Sequence, residues 1–101
     1  MKSKTTTFDQ LLDKEKCINF LVRYGYYIHT EQENALVLKK AGSLFTSSGE
    51  KIPKELSIRY NDNGTELTLK YDALVFFDTG DLQNELDKLS NLINSNMDKM
   101  V

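Results

Sequence analysis

The 101-residue chain contains no tryptophan, one proline, one cysteine and one histidine. A single cysteine excludes an intrachain disulfide, and an unpaired thiol fits a reducing compartment better than an oxidising one. One Cys and one His also remove most zinc and thiol-dyad chemistry, so neither a metal nor another cofactor is expected. Long apolar runs are missing too. The longest, Ala73 to Phe77, falls far short of the roughly 20 residues of a membrane helix. Lys2 and Lys4 stand at the N-terminus with no apolar stretch behind them, which does not match a secretory signal. The sequence therefore predicts a soluble cytoplasmic protein with no membrane association. A basic excess is lacking as well: 13 Lys and Arg face 15 Asp and Glu, for a net charge of -2. Duplex nucleic acid calls for a basic footprint that this balance does not supply.

What is present is the composition of one globular domain, 40% hydrophobic and 28% charged. Folding a chain of this size removes roughly two-thirds of its unfolded surface from water, enough for a core without covalent staples. The expected domain is 1–101, with 1–6 and 96–101 as frayed ends. Charge is unevenly spread. Residues 1–54 hold nine basic and six acidic side chains, and residues 55–101 hold four basic and nine acidic. Halves of opposite sign suggest a dipolar surface.

Along the chain, Thr7 and Gln10 have capping-box spacing, which predicts a helix from Phe8. Its apolar stripe is Leu11, Leu12, Ile18, Leu21 and Val22, interrupted by Asp13-Lys14-Glu15-Lys16, where Asp13 is positioned to cap a second helix. Gly25 suits the left-handed position that ends a helix. Tyr26 to Thr30 and Ala35 to Lys40 read as a β-hairpin around Glu31-Gln32-Glu33-Asn34. Ala41 to Lys54 reads as a long loop. Leu56, Ile58 and Tyr60, then Leu67, Leu69 and Tyr71, alternate with polar residues on either side of Asp62-Asn63-Gly64. That is a hairpin with one buried face, its turn drawing on the tolerance of Asn and Gly for positive φ. Leu74 to Phe77 is a candidate central strand. Leu82, Leu86, Leu89 and Ile93 form one narrow stripe of a closing helix. The fold class is α+β: a two-layer sandwich with an N-terminal helix, an antiparallel meander of four to six strands, and a C-terminal helix on one sheet face.

Few motifs carry chemistry. Phe76-Phe77-Asp78-Thr79-Gly80 resembles the active-site motif of aspartic proteases, whose retroviral members are chains of similar length with one motif per subunit. That resemblance implies two such aspartates brought together by dimerisation to activate a water. In that family, however, most of the β-rich chain follows the motif, whereas here only 21 residues follow Gly80. The pattern is better read as strand end, helix cap and turn, with Asp78 and Thr79 capping the last helix. The loop around Gly42 and Gly49 lacks the Gly-Lys pair of a Walker cradle. Asn61-Asp62-Asn63-Gly64 lacks the glutamate that a calcium loop places six residues on, since that position is Lys70. Cys17 reads as a small buried apolar residue.

With no catalytic constellation, the sequence points to a protein-interaction or regulatory module. Its contacts would be Tyr27, His29, Arg59 and Lys70 on the wet sheet face, and Lys39, Lys40, Lys51 and Lys54 of the basic loop. Two alternatives stand beside it. One is a small-ligand protein or enzyme with a pocket between helices and sheet, lined by Tyr24, Tyr60, Tyr71 and Phe77. The other is weak nucleic-acid binding through the 39–54 lysines.

Overall fold

The computed structural model describes residues 3–42, 52–72 and 80–100, with the side chains of Lys99 and Met100 left aside. The chain opens with a strand. Ser3–Phe8 (β1) pairs antiparallel with Gly64–Tyr71 (β5) from Ser3↔Lys70 to Phe8↔Thr65. A frayed start followed by a helix from Phe8 is therefore not what forms. The run Thr5-Thr6-Thr7 is β-branched and suits a pleated edge better than a helical first turn. The helix α1 begins later, at Lys14–Arg23. Asp13 caps it, accepting from the Lys16 backbone N–H at 3.0 Å. Gly25, at φ 91°, turns the chain out of it, its N–H donating to the Val22 carbonyl.

Tyr26–Glu31 (β2) and Ala35–Lys40 (β3) form the expected hairpin, and Lys54–Asn61 (β4) pairs with β3 and β5. The sheet order is β1-β5-β4-β3-β2, antiparallel throughout. The α+β two-layer sandwich is thus what the chain adopts, with five strands among the described residues. The candidate strand at Leu74 to Phe77, together with Asp78, Thr79 and Lys51, lies outside the described residues. After Gly80, at φ 89°, the closing helix α2 runs Asp81–Ser95 with no side-chain hydrogen bond at its cap, and a short helix α3 follows at Met97–Met100. No helix among the described residues is long and apolar enough to cross a membrane.

One sheet face is dry. Leu36, Leu38, Leu56, Ile58, Leu67 and Leu69 are buried there, and Leu82, Leu86, Leu89 and Ile93 of α2 join them in one core with Cys17 and Leu21 of α1. Burying each of these leucines contributes about 2 kcal/mol. The β4–β5 turn differs from its expected chemistry. No non-glycine residue among those described has positive φ, and Gly64 does not either. Glycine is required at 64 for space instead, because a Cβ there would run into the Phe8 carbonyl of β1.

Beside it, Thr65 ties the crossover to the sheet. Its buried hydroxyl donates to the Gln10 carbonyl at 2.8 Å and accepts from the Leu12 N–H at 3.0 Å. Thr65→Val keeps the shape but strands both backbone groups, so it should cost about 1–3 kcal/mol in urea denaturation. Thr65→Ser, which keeps the hydroxyl, should cost less.

Candidate functional site

Strand parity divides the candidate residues between two places. Cross-strand register puts Tyr27, Lys39, Glu55, Lys70 and Ser3 in one row across the outer face. The next row is Thr30, Val37, Ser57, Thr68 and Thr5, and the third holds Ala35, Arg59, Glu66 and Thr7. Within the first row Lys70 pairs with Glu55 at 2.9 Å, and Lys39 reaches Asp72 at 3.3 Å. In the second, the hydroxyls of Thr5 and Thr68 share a hydrogen bond of 3.0 Å. A shallow depression of about 170 Å³ between β2, β3 and β4 is edged by Thr30, Val37, Ser57 and Arg59. The buried residues of α1 and α2 all join the opposite face, so neither helix packs here.

Three of the outer-face candidates, Tyr27, Arg59 and Lys70, therefore share one surface, and Lys39 joins them from the strand rather than from a loop. His29 is displaced. The β2–β3 register shifts between Ile28 and Thr30, leaving His29 as the unpaired residue of a bulge while Thr30 takes the position opposite Val37. Simple alternation, which puts Tyr27 and His29 on the same side, does not allow for that extra residue. The bulge also blunts β2 as an edge strand.

The other place is the end of the dry face. Lys40 and Lys54 share parity with Leu38 and Leu56, so both point under α2, and Lys54 is buried. The expectation of Lys54 as a solvated loop lysine is corrected here: it opens β4, opposite Lys40 and Tyr71. Glu85 of α2 meets this cluster. It accepts from the Tyr26 hydroxyl at 2.9 Å and from Lys40 Nζ at 3.1 Å. Burial alone would raise its carboxyl pKa. The Tyr26 hydrogen bond and the charges of Lys40 and Lys54 outweigh that and hold it below the ordinary 4.5. Burial, and then the Glu85 charge, push the Tyr26 phenol far up, so it stays a donor. Lys40, Lys54, Asp81, Asn84, Glu85 and Lys88 line a polar cavity of about 320 Å³ between α2 and the sheet.

Comparison with protein families, with curated proteins and with solved structures finds no match. The geometry alone speaks for this chain.

That geometry separates what the sequence grouped. Of the described lysines in the 39–54 segment, Lys39 is engaged by Asp72, Lys40 by Glu85, and Lys54 is buried, while Lys51 lies outside the described residues. The oppositely charged halves are partly consumed by folding, because both of those ion pairs join one half to the other. Of the described residues expected to line an aromatic pocket, Tyr71 is fully buried in the core and Tyr24 stacks near Phe20 with ring centroids 5.1 Å apart. Phe77 lies outside the described residues. The Tyr60 hydroxyl is buried without a hydrogen-bond partner of good geometry and faces the Cys17 thiol, a weak partner at best. Burial pushes that thiol up to about 11, opposed by Tyr60 and aided by the Asp13 charge. Such a thiol is un-ionised and unreactive at neutral pH. Among the described residues no group of three His, Cys, Asp or Glu is placed to hold a metal ion.

In the sequence Asp81 marks only the start of the closing helix, and Asn84, Glu85 and Lys88 are not among the candidate residues. Their signal was present: they stand at helical spacing beside the leucine stripe, on the flank that a packed helix turns toward the sheet. The depressed Glu85 carboxyl makes a signed prediction. Its stabilising contribution is present above the unfolded value near 4.5 and is lost as pH falls through the lower folded value. Glu85→Gln should therefore flatten the acid limb of the stability–pH curve, and Lys40→Met should raise the Glu85 carboxyl pKa read by carbon-detected NMR.

Proposed function

We propose that this chain is a non-catalytic interaction module that holds another polypeptide on the outer face of its sheet. The observation that carries the reading is the division of labour between the two faces. The inner face, α1 and α2 make the core, while the outer face collects Tyr27, Lys39, Glu55, Arg59 and Lys70 around a row of small, mostly hydroxyl-bearing residues. Tyrosine and arginine are the side chains that most often anchor protein contacts, since each gives large contact area and directed hydrogen bonds. A sheet face that no described helix covers also fits contact with a flat or extended partner. The lone buried thiol supports a reducing, cytoplasmic setting, and the engagement of Lys39, Lys40 and Lys54 argues against a nucleic-acid role.

A photo-crosslinking amino acid placed at Arg59, with a control at the exposed Gln83 of α2, tests this in the native cell. The reading expects a discrete polypeptide adduct from the Arg59 probe and none from the control. Equal or absent crosslinking from the two positions would overturn it.

A second reading follows from the polar cavity. Three lysines and two carboxylates around about 320 Å³ favour a small anion over an apolar ligand. Titrating inorganic phosphate should then shift the amide signals of Asn84 and Lys88 with saturation, and a linear, unsaturated response would dismiss this reading.

A further inference from the structure

The charges of the outer face are arranged antisymmetrically about its middle row. On β4, Glu55 lies on one side of Ser57 and Arg59 on the other. On β5, Lys70 and Glu66 flank Thr68 with the signs reversed. On β3, Lys39 and Ala35 flank Val37. The middle row itself, Thr5, Thr68, Ser57, Val37 and Thr30, is neutral and small. Register fixes this pattern: Glu55 stands between Lys39 and Lys70, and Arg59 between Ala35 and Glu66.

From this pattern we infer that the partner of the outer face is a second copy of the chain. The two copies meet face to face about a two-fold axis that runs across the strands along the neutral row. The inference rests on the interaction-module reading and names its occupant. The operator exchanges the two charged rows while keeping each strand over its own counterpart. Glu55 then faces Arg59 of the second copy, Lys70 faces Glu66 of the second copy, and symmetry repeats both contacts. The other in-plane axis, along β4, would place Glu55 over Glu55, Arg59 over Arg59 and Lys70 over Lys39, all like charges. Of the two axes through β4 the pattern thus selects the one across the strands, giving the isologous kind of dimer in which a surface must complement itself. An axis between β4 and β5 would also pair opposite charges, Glu55 with Lys70 and Arg59 with Glu66. Mixing Glu55→Arg with Arg59→Glu separates the two, because about that axis Glu55→Arg would face Lys70.

The sizes agree with a reversible contact. Five strands about 4.8 Å apart and six residues at about 3.4 Å each give a face of about 500 Å² per copy. Both copies together reach about 1,000 Å², the lower bound for a specific interface. Aligned sheets cross at about 30°, which moves the corners apart far more than the adjacent central strands β4 and β5 that carry the four paired charges. Thr, Ser and Val along the middle row keep the axis itself free of large side chains, while Glu55, Arg59, Lys70 and Glu66 on the flanking rows reach across it.

Sedimentation equilibrium on the whole chain, from about 1 μM to about 1 mM, tests this, since contacts of this size usually fall within that range. The expected result is a monomer–dimer equilibrium whose Kd rises at least about tenfold between low salt and about 0.5 M salt. Glu55→Arg and Arg59→Glu should each abolish dimerisation alone, because each sets like charges across the axis. Mixed in equal amounts, the two variants should pair with each other, since both cross-axis contacts are then of opposite sign. Circular dichroism checks that each variant is folded. If either is not, Lys70→Glu mixed with Glu66→Lys makes the same comparison on β5. A wild-type chain that stays monomeric overturns the inference, as does a dimer indifferent to the single substitutions or folded variants that do not pair on mixing. Monomeric sedimentation together with an Arg59 crosslink to a different polypeptide removes the second copy and leaves the interaction module standing.

Discussion

The fold depends on a single constraint: the five described strands have two faces, and the helices among the described residues cover one. Alternation along β3, β4 and β5 sends Leu36, Leu38, Leu56, Ile58, Leu67 and Leu69 to the same side, where the Leu82, Leu86, Leu89 and Ile93 stripe of α2 closes over them. A one-residue slip in any of these strands would exchange its whole apolar set for its polar one, so register is strongly specified. Everything that reaches the outer face does so as a consequence.

The same parity brings charge under the helix. Lys40 and Lys54 continue the apolar series of their strands and cannot leave the dry side without breaking the register. Burying an ammonium group is costly unless it is paired. The answer for Lys40 is Glu85 at 3.1 Å, with Tyr26 donating to the same carboxylate oxygen. Glu85 lies three residues after Leu82 and next to Leu86, so the contact fixes which flank of α2 faces the sheet end. A polar cluster that ties β2, β3 and α2 together thus specifies the helix's rotation, while the leucines provide most of the stability. Lys14 does similar work at the opposite end of β2, donating to the Gln32 and Glu33 carbonyls in the hairpin turn.

Most of the architecture was legible because its signals are periodic. The stripe of α2, the alternation of β4 and β5, the Asp13 cap and the Gly25 exit all have local causes that act within a few residues. What was hidden was non-local. The β1 strand exists because β5 offers it a partner some 60 residues away in sequence, and local capping chemistry at Thr7 competes with that without success. Gly64 looked like a turn residue and is instead a close-approach residue against Phe8, a contact no local window contains. Composition groups Lys54 with a loop, although its parity with Leu56 and Ile58 places it inside. The bulge at His29 illustrates the limit in the other direction: one inserted residue cancels an alternation argument that holds for the rest of β2. The candidate surface was legible in part, since Tyr27, Arg59 and Lys70 do share a face, but its charge antisymmetry required the cross-strand register.

The central claim is that one sheet face serves folding and the other is left for a partner. Paramagnetic relaxation from a soluble gadolinium chelate, measured on the dilute protein, tests it most directly. The account predicts strong enhancement at the side chains of Val37, Ser57 and Thr68 and none at Leu38, Leu56 and Leu69, their immediate neighbours in sequence on the dry face. Protection of Val37, Ser57 and Thr68 in the dilute monomer would show that the chain covers both faces itself, and would contradict the account.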